Sequence, residues 1–250
     1  MINQPYQIVG HRGLPEKFPE NSMPGLMAAF KAGANAVEID IQLSRDGIPI
    51  VFHDDNLNRV TATKGSLFSY SADELRAISC HEPKRFGERF NPTSIITLEQ
   101  AARALADCCF PDYCFPKKEK KVFIEIKAES FSILDRPDFL KTVLRASEAL
   151  KDNRIIISFD ADVLMMAKQS CELPIGWVIK KFNKNYWQQA MQLQPDYLIC
   201  NHQKIGKQAI LWSGPWQWFI YDITDKITAD HWVTRGAKYI ETWDASAFFE

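Results

Sequence analysis

Eight short runs rich in β-branched and aromatic residues recur along this chain. They constrain its fold more than any other feature: QIVG (7–10), AVEIDIQL (36–43), KVFIEIK (121–127), RIIISF (154–159), LPIGWVI (173–179), DYLIC (196–200), WQWFIY (216–221) and AKYIET (237–242). Most successive runs are separated by a segment of helical period. In SMPGLMAAFKAGA, Ser22 stands where an N-cap belongs, Pro24 falls in the first turn, and Leu26, Ala29, Phe30 and Gly33 follow at helical spacing. DFLKTVLRASEAL repeats the apolar period at Phe139, Leu140, Val143, Leu144 and Leu150, and DADVLMMAKQS, NKNYWQQAMQL and ITADHWVTRGA fill later gaps. Runs that are apolar at nearly every position need cover on both faces, as the strands of a parallel sheet do. Eight β-α units predict an α/β fold, a closed TIM (β/α)8 barrel, with a doubly wound open sheet as the alternative. One domain over residues 1–250 suits the length, at which folding buries roughly 70–75% of the unfolded chain's surface without staples.

One gap breaks the rhythm. The stretch from Ser44 to Lys120 is too long for a plain βα connection. It predicts a small insertion at about 44–95, between strand 2 and helix 2. Asp46-Gly47 suits a tight reversal, so IPIVF (48–52) reads as a hairpin-like extension of the second strand. A short helix is expected from Ser71, and ITLEQAARALADC, capped by Thr97, is the delayed helix of the unit. Phe68, Tyr70 and Phe86 in the insertion suit either a hydrophobic lip over a pocket or packing onto the barrel. There is no internal repeat, low-complexity tract or linker.

Composition narrows the partners. The chain is 46% hydrophobic and 24% charged with a net charge of −1, a balance that gives no support for a nucleic-acid or anionic-membrane partner. It leaves room for a small charged substrate in a local pocket. No run approaches the roughly 20 apolar residues of a membrane span, and MINQPYQIVGHRG lacks the basic and apolar regions of a secretory signal. CCFPDYC (108–114) lacks the C-x2-C spacing of a metal knuckle and has no histidine nearby. Reduced thiols and a cytoplasmic location are the expectation. The oligomeric state is left open. His81, His202 and His231 read as surface or capping residues, KKEKK (117–121) as a solvated turn, and Trp212, Trp216 and Trp218 chiefly as packing.

The chemistry lies where strands end. Reactive residues of a barrel cluster at the C-terminal ends of its strands. His11 and Arg12 directly follow the first run; Glu38 and Asp40, two apart, share one face of the second; Glu125 and Lys127 repeat that spacing in the third. His53 ends the extension beside the second strand. Adjacent strands of a closed barrel bring all of these to one rim. Three crowded carboxylates need a counter-charge. A hard divalent cation supplies it, and all-oxygen ligation favours Mg2+, Ca2+ or Mn2+ over zinc. Arg12 and Lys127 suit an anionic group such as a phosphate, and the two histidines suit a general acid and a general base. The set describes metal-assisted cleavage of a phosphate ester.

These residues also carry a resemblance. GHRG (10–13), PEN (19–21), VEIDIQLSRDGIPIVFHDDNLNRVT (37–61), Gly65, ADELRAI, ITLEQA, FIEIK (123–127) and SF (158–159) together resemble the glycerophosphodiester phosphodiesterase family of bacterial cytosolic type. The resemblance covers most of the chain and is densest in its first half. It implies a TIM barrel with a small insertion after the second strand. It implies that Glu38, Asp40 and Glu125 bind one divalent cation, that His11 and His53 form the acid-base pair, and that Arg12 and Lys127 meet the phosphate. The implied activity is hydrolysis of glycerophosphodiesters to sn-glycerol 3-phosphate and an alcohol. A lipid-directed phosphodiesterase such as a lysophospholipase D, and a non-catalytic binding module, are the alternatives. Late in the chain the resemblance weakens. Relatives often carry Trp-Thr-Val-Asn in the seventh strand and Thr-Asp at the end of the eighth, where this chain has Phe219-Ile220-Tyr221-Asp222 and Thr242-Trp243-Asp244. Those departures bear on the alcohol half of the substrate.

Overall fold

The computed structural model describes residues 6–109 and 120–249. In chain order its strands are β1 (Gln7–Gly10), β2 (Ala36–Leu43), β3 (Pro49–Val51), β4 (Lys121–Ile126), β5 (Arg154–Ser158), β6 (Ile175–Ile179), β7 (Tyr197–Asn201), β8 (Gln217–Tyr221) and β9 (Ala237–Thr242). All but β3 are parallel to their neighbours, and the order β1-β9-β8-β7-β6-β5-β4-β2 closes through a β1–β2 pairing. This is the eight-stranded barrel expected from the eight runs. β3 returns antiparallel along β2, pairing Ile41 with Val51 and Leu43 with Pro49, so the extension is a hairpin. Gly47 takes the positive φ (75°) of its turn.

The helices α1 (Met23–Lys31), α4 (Leu98–Cys109), α5 (Arg136–Ala146), α6 (Ala161–Ser170), α7 (Lys184–Leu193) and α8 (Lys226–Val233) follow β1, the insertion, β4, β5, β6 and β8. Their starts are written in the sequence. The Ser22 hydroxyl accepts from Gly25 N, while Thr97 and Gln100 exchange side-chain and backbone hydrogen bonds. No helix follows β7; residues 202–216 run irregularly from a 3-10 turn, His202–Lys204, down to β8. Among the described residues no helix is long and apolar enough to cross a membrane.

Two cores result. Outward-facing strand residues such as Ile39, Ile41, Ile124 and Ile240 pack against the helices. The barrel interior is closed at its lower end by Val9, Phe123, Ile155, Val178, Ile199, Phe219 and Tyr239. Phe123 stands at the centre, edge-on to Phe219 at 4.9 Å and to Tyr197 at 5.2 Å. Below it the Lys121 Nζ donates to the hydroxyls of Tyr197 and Tyr239, so Lys121 lies inside the barrel rather than in a solvated turn. The rest of that basic run lies outside the described residues apart from Lys120, whose ammonium sits over the Phe30 ring.

The insertion carries α2 (Ala72–Arg76) and α3 (Pro83–Phe86) and a third, small core of Ile50, Phe52, Leu57, Val60, Leu67, Leu75, Cys80 and Ile95. Phe68 and Tyr70 pack against it, and Phe86 meets Phe90 edge-on. His81, expected as a surface or capping residue, is buried there with its Nδ1 on the Ser79 hydroxyl.

Candidate active site

Above the apolar plug the inward positions turn acidic. Along β2 the side chains of Glu38, Asp40 and Gln42 continue the inward face begun by Ala36, and the whole strand is buried. Asp40 pairs in register with Glu125 of β4. One carboxylate oxygen from each of Glu38, Asp40 and Glu125 lies within 4.8 Å of the other two. These are the three acids singled out in the sequence.

Their counter-charges are the two cations expected beside them. The Arg12 backbone N donates to Glu38 Oε2 at 3.1 Å, while its guanidinium meets Asp40 Oδ2 through Nε at 3.0 Å and Glu20 Oε1 through Nη1 at 2.9 Å. The Lys127 Nζ reaches Glu125 Oε1 at 2.9 Å and Asp40 Oδ1 at 3.4 Å. Arg12 and Asn21 both adopt positive φ (52°), and Asn21 Nδ2 donates to Asp40 Oδ2 at 2.8 Å. Strained backbone at non-glycine residues is costly and is held here by these contacts.

Unequal compensation splits the acids. Burial works against the Asp40 carboxylate, but Arg12, Lys127, His53 and the Asn21 hydrogen bond hold its pKa well below the usual range. Glu38 is pushed well above its ordinary value by burial, then by Asp40, Glu241 and Glu125. Glu125 is raised by burial and by Asp40, with Lys127 opposing. Glu38 Oε1 is buried and accepts no hydrogen bond among the described residues. The donor set is all oxygen, rich in negative charge and short of positive charge, which fits a hard divalent cation.

The two histidines sit differently. His11 lies 3.9 Å from Glu38 Oε2 and edge-on to the Trp243 ring at 5.4 Å. Burial and then the Arg12 charge push its pKa down to about 3, so its imidazole is neutral. His53 is a third exposed, its Nδ1 is 2.7 Å from Asp54 Oδ1, and its carbonyl accepts from Gln42 Nε2 at 3.1 Å. A carboxylate on Nδ1 fixes the tautomer and leaves Nε2 facing away from it. The buried thiols of Cys80 and Cys200, pushed up to about 12 by burial, supply no nucleophile. The side chains of the CCFPDYC stretch lie outside the described residues.

Four contributors were not assigned roles from the sequence. Arg59, from the insertion, grips Glu20 at 2.6 and 2.7 Å and Asp54 at 2.8 and 2.9 Å, and so ties the Arg12 side of the site to the His53 side. Glu20 lay in the quoted PEN, but nothing local signals its partner. Glu241 is buried at the end of β9, and burial followed by Asp222 and Glu125 pushes its pKa well above the ordinary value. Its signal was legible: an acid in the last buried run, two residues beyond Tyr239. Asp222, at positive φ (62°), receives Asn201 Nδ2 at 2.5 Å and Trp243 Nε1 at 3.2 Å. It braces the wall built from the departing strand ends.

An acid cluster at the C-terminal rim of a (β/α)8 barrel, between two imidazoles, stands where the barrel enzymes as a class carry their active sites, and its carboxylates could hold a metal ion. Within that class, the model of the glycerophosphoryl diester phosphodiesterase family matches residues 11–209, and the chain belongs to this family. It is 26% identical over 203 residues to the bovine glycerophosphodiester phosphodiesterase 1, a match covering 76% of this chain and 57% of that protein. It thus spans little more than half of that relative's length. A glycerophosphodiester phosphodiesterase of Caldanaerobacter subterraneus subsp. tengcongensis is 27% identical over 190 residues, covering 75% of this chain and 72% of the other. In fold, the chain is similar to a phosphodiesterase of Oleispira antarctica whose structure contains the product sn-glycerol-3-phosphate. The TM-score is 0.78 and the identity 22%, over 96% of this chain and 93% of that one.

Proposed function

We propose that this chain is a metal-dependent phosphodiesterase that hydrolyses glycerophosphodiesters to sn-glycerol 3-phosphate and an alcohol. The observation that carries the reading is the convergence of Glu38, Asp40 and Glu125 within 4.8 Å, flanked by His11 and His53 and by Arg12 and Lys127. The three carboxylates would hold one Mg2+, Ca2+ or Mn2+. When bound, that cation polarises a phosphoryl oxygen as a Lewis acid.

The remaining work falls to the chain's own side chains. Arg12 and Lys127, now balanced against carboxylates, are the cations available to a substrate phosphate. His11 is neutral and so suits the base that takes a proton from the attacking hydroxyl. His53, held by Asp54 Oδ1 at 2.7 Å on its Nδ1 and so with Nε2 turned away from that carboxylate, suits the acid that protonates the leaving alkoxide. The attacking group is water, or the neighbouring glycerol hydroxyl by way of a cyclic phosphate that water then opens. Membership of the family supports the substrate class, and the product in the Oleispira antarctica structure supports the product.

The test incubates the protein with glycerophosphocholine and Mg2+, Ca2+ or Mn2+ and couples released glycerol 3-phosphate to its dehydrogenase. Product that disappears with EDTA and returns with added cation is expected. Full turnover in chelator would remove the metal from the reading. Turnover of lysophosphatidylcholine without turnover of glycerophosphocholine would move the substrate to lipids.

A further inference from the structure

The balanced net charge conceals a basic sector. From Leu173 to Tyr221 the chain holds five lysines, Lys180, Lys181, Lys184, Lys204 and Lys207, and a single carboxylate, Asp196. The five are exposed, and none is in an ion pair among the described residues. Lys180, Lys181 and Lys184 lie between β6 and the first turn of α7, and Lys204 and Lys207 follow β7, so all sit at the C-terminal ends of strands, on the face that carries the site. Asp196 lies at the other end of β7, where its carboxylate accepts from Ile175 N. Of the acids that border the sector, Glu172 lies before β6, at the end of that strand away from the lysines, and those near the rim are engaged. Asp160 is gripped by Arg136, whose charge also faces Asp162; Asp222 is held by Asn201 and Trp243; Asp225 caps α8.

The same sector is where the barrel lacks a helix. With none after β7, α7 faces the irregular segment 202–216 across an open groove of about 550 Å3 lined by Phe182, Asn183, Lys184, Trp187, Trp212 and Ser213. Phe182 and Trp212 stack at 4.1 Å with their rings within 12° of parallel. Three large apolar side chains of this stretch stand in solvent: Trp187 at 36%, Met191 at 40% and Ile210 at 83% exposure.

Exposed lysines around exposed tryptophan and aliphatic side chains, without acids among them, suit one kind of surface. Anionic headgroups attract the ammonium groups, and the tryptophan and isoleucine enter the boundary between headgroups and acyl chains. We propose that this sector of the rim, formed by the β6–α7 loop, α7 and the 202–216 segment, docks on an anionic lipid bilayer. Docking there sets the mouth of the barrel against the lipid surface. The inference stands independently of the substrate proposed above.

Co-sedimentation with vesicles tests it, using phosphatidylcholine alone and an equimolar mixture of phosphatidylcholine and phosphatidylglycerol. Binding to the mixed vesicles, weakened by salt, with a blue shift of tryptophan emission, is expected. The triple variant Lys180→Glu, Lys181→Glu, Lys184→Glu should lose about 100-fold in partition, from roughly fivefold per lysine. Ile210→Asp alters a side chain that supports no core, so it keeps the test valid if the triple variant folds poorly. It should weaken binding and abolish the blue shift. Turnover of glycerophosphocholine should be unchanged in both. Equal binding to neutral vesicles, wild-type binding by both variants, or no binding at low salt overturns the proposal. A dimer in sedimentation velocity that Ile210→Asp dissociates, without vesicle binding, would assign the face to a second copy of the chain instead.

Discussion

Replacing Arg59 by alanine removes four hydrogen bonds at once, two to Glu20 and two to Asp54. Taking away the partner of a buried carboxylate costs roughly 3–5 kcal/mol when nothing else compensates it. Two features reduce that here. The Arg59 side chain is 43% exposed, so water screens its charge, and Arg12 stays on Glu20 at 2.9 Å. The expected loss is therefore about 1–2 kcal/mol at neutral pH. Its pH dependence follows from the two acids. Burial tends to raise both carboxyl pKa values. In Glu20 the Arg59 hydrogen bonds and Arg12 outweigh burial, and in Asp54 His53 and Arg59 do, so both lie below their ordinary values of 4.5 and 3.8. Such groups add stability that is complete above those values and is lost as pH falls through the folded-state pKa. Urea unfolding of wild type and Arg59→Ala at about pH 7 and about pH 3.5 should show a difference that shrinks in acid. The kcat should fall about 10–100-fold, the range for groups that orient a functional side chain. An equal or larger stability loss at the acid pH would refute the electrostatic clamp and leave only lost packing.

His11→Ala and His53→Ala should each lower kcat by about 10^2–10^4, read in the coupled assay, and near wild-type turnover in either would remove that histidine from the chemistry. Glu38, Glu125 and Glu241 all have pKa values above their ordinary 4.5, so the metal-free folded state binds extra protons and loses stability as pH rises above that value. Glu241→Gln should flatten this dependence in thermal melts from about pH 5 to about pH 8, and an unchanged slope would show that Glu241 is not part of it. Glu38→Gln should weaken Mn2+ or Ca2+ binding in calorimetry while the fold survives; an unfolded variant would make Glu38 a structural acid. Phe123→Ala empties the centre of the barrel plug and should cost about 3–5 kcal/mol in urea unfolding, and a loss under about 1 kcal/mol would mean the plug collapses around the gap.

The barrel was legible because its strands are buried on both faces. AVEIDIQL and AKYIET coincide with β2 and β9 residue for residue. Within LPIGWVI the strand β6 starts two residues after the run begins, at Ile175. Pro174 has no N–H to give a ladder, although its carbonyl still accepts from Ile156. The acids of the site were visible for the same reason, since a carboxylate inside a buried strand needs a partner. What stayed hidden depends on approach from a distance. Arg59 belongs to a polar loop, and only the folded insertion carries it to Glu20. Lys121 looked solvated because sequence cannot show that the first residue of β4 turns into the barrel beneath Phe123. Glu241 is different: it obeys the rule that marks Glu38, an acid inside a buried strand, but stands without a second acid at the same spacing.

The insertion folds around apolar residues of its own and meets the barrel through the β2–β3 pairing, the Phe18–Phe90 contact and a set of polar ties in which Arg59 makes the most bonds. A replacement segment could therefore be spliced between β2 and α4 to reshape the approach to the site while the strands below stay untouched. It would have to bring along the Arg59 guanidinium and the His53–Asp54 pair in their present places. Without them, such a chimera would retain its acid cluster and lose the brace that links Glu20 to Asp54.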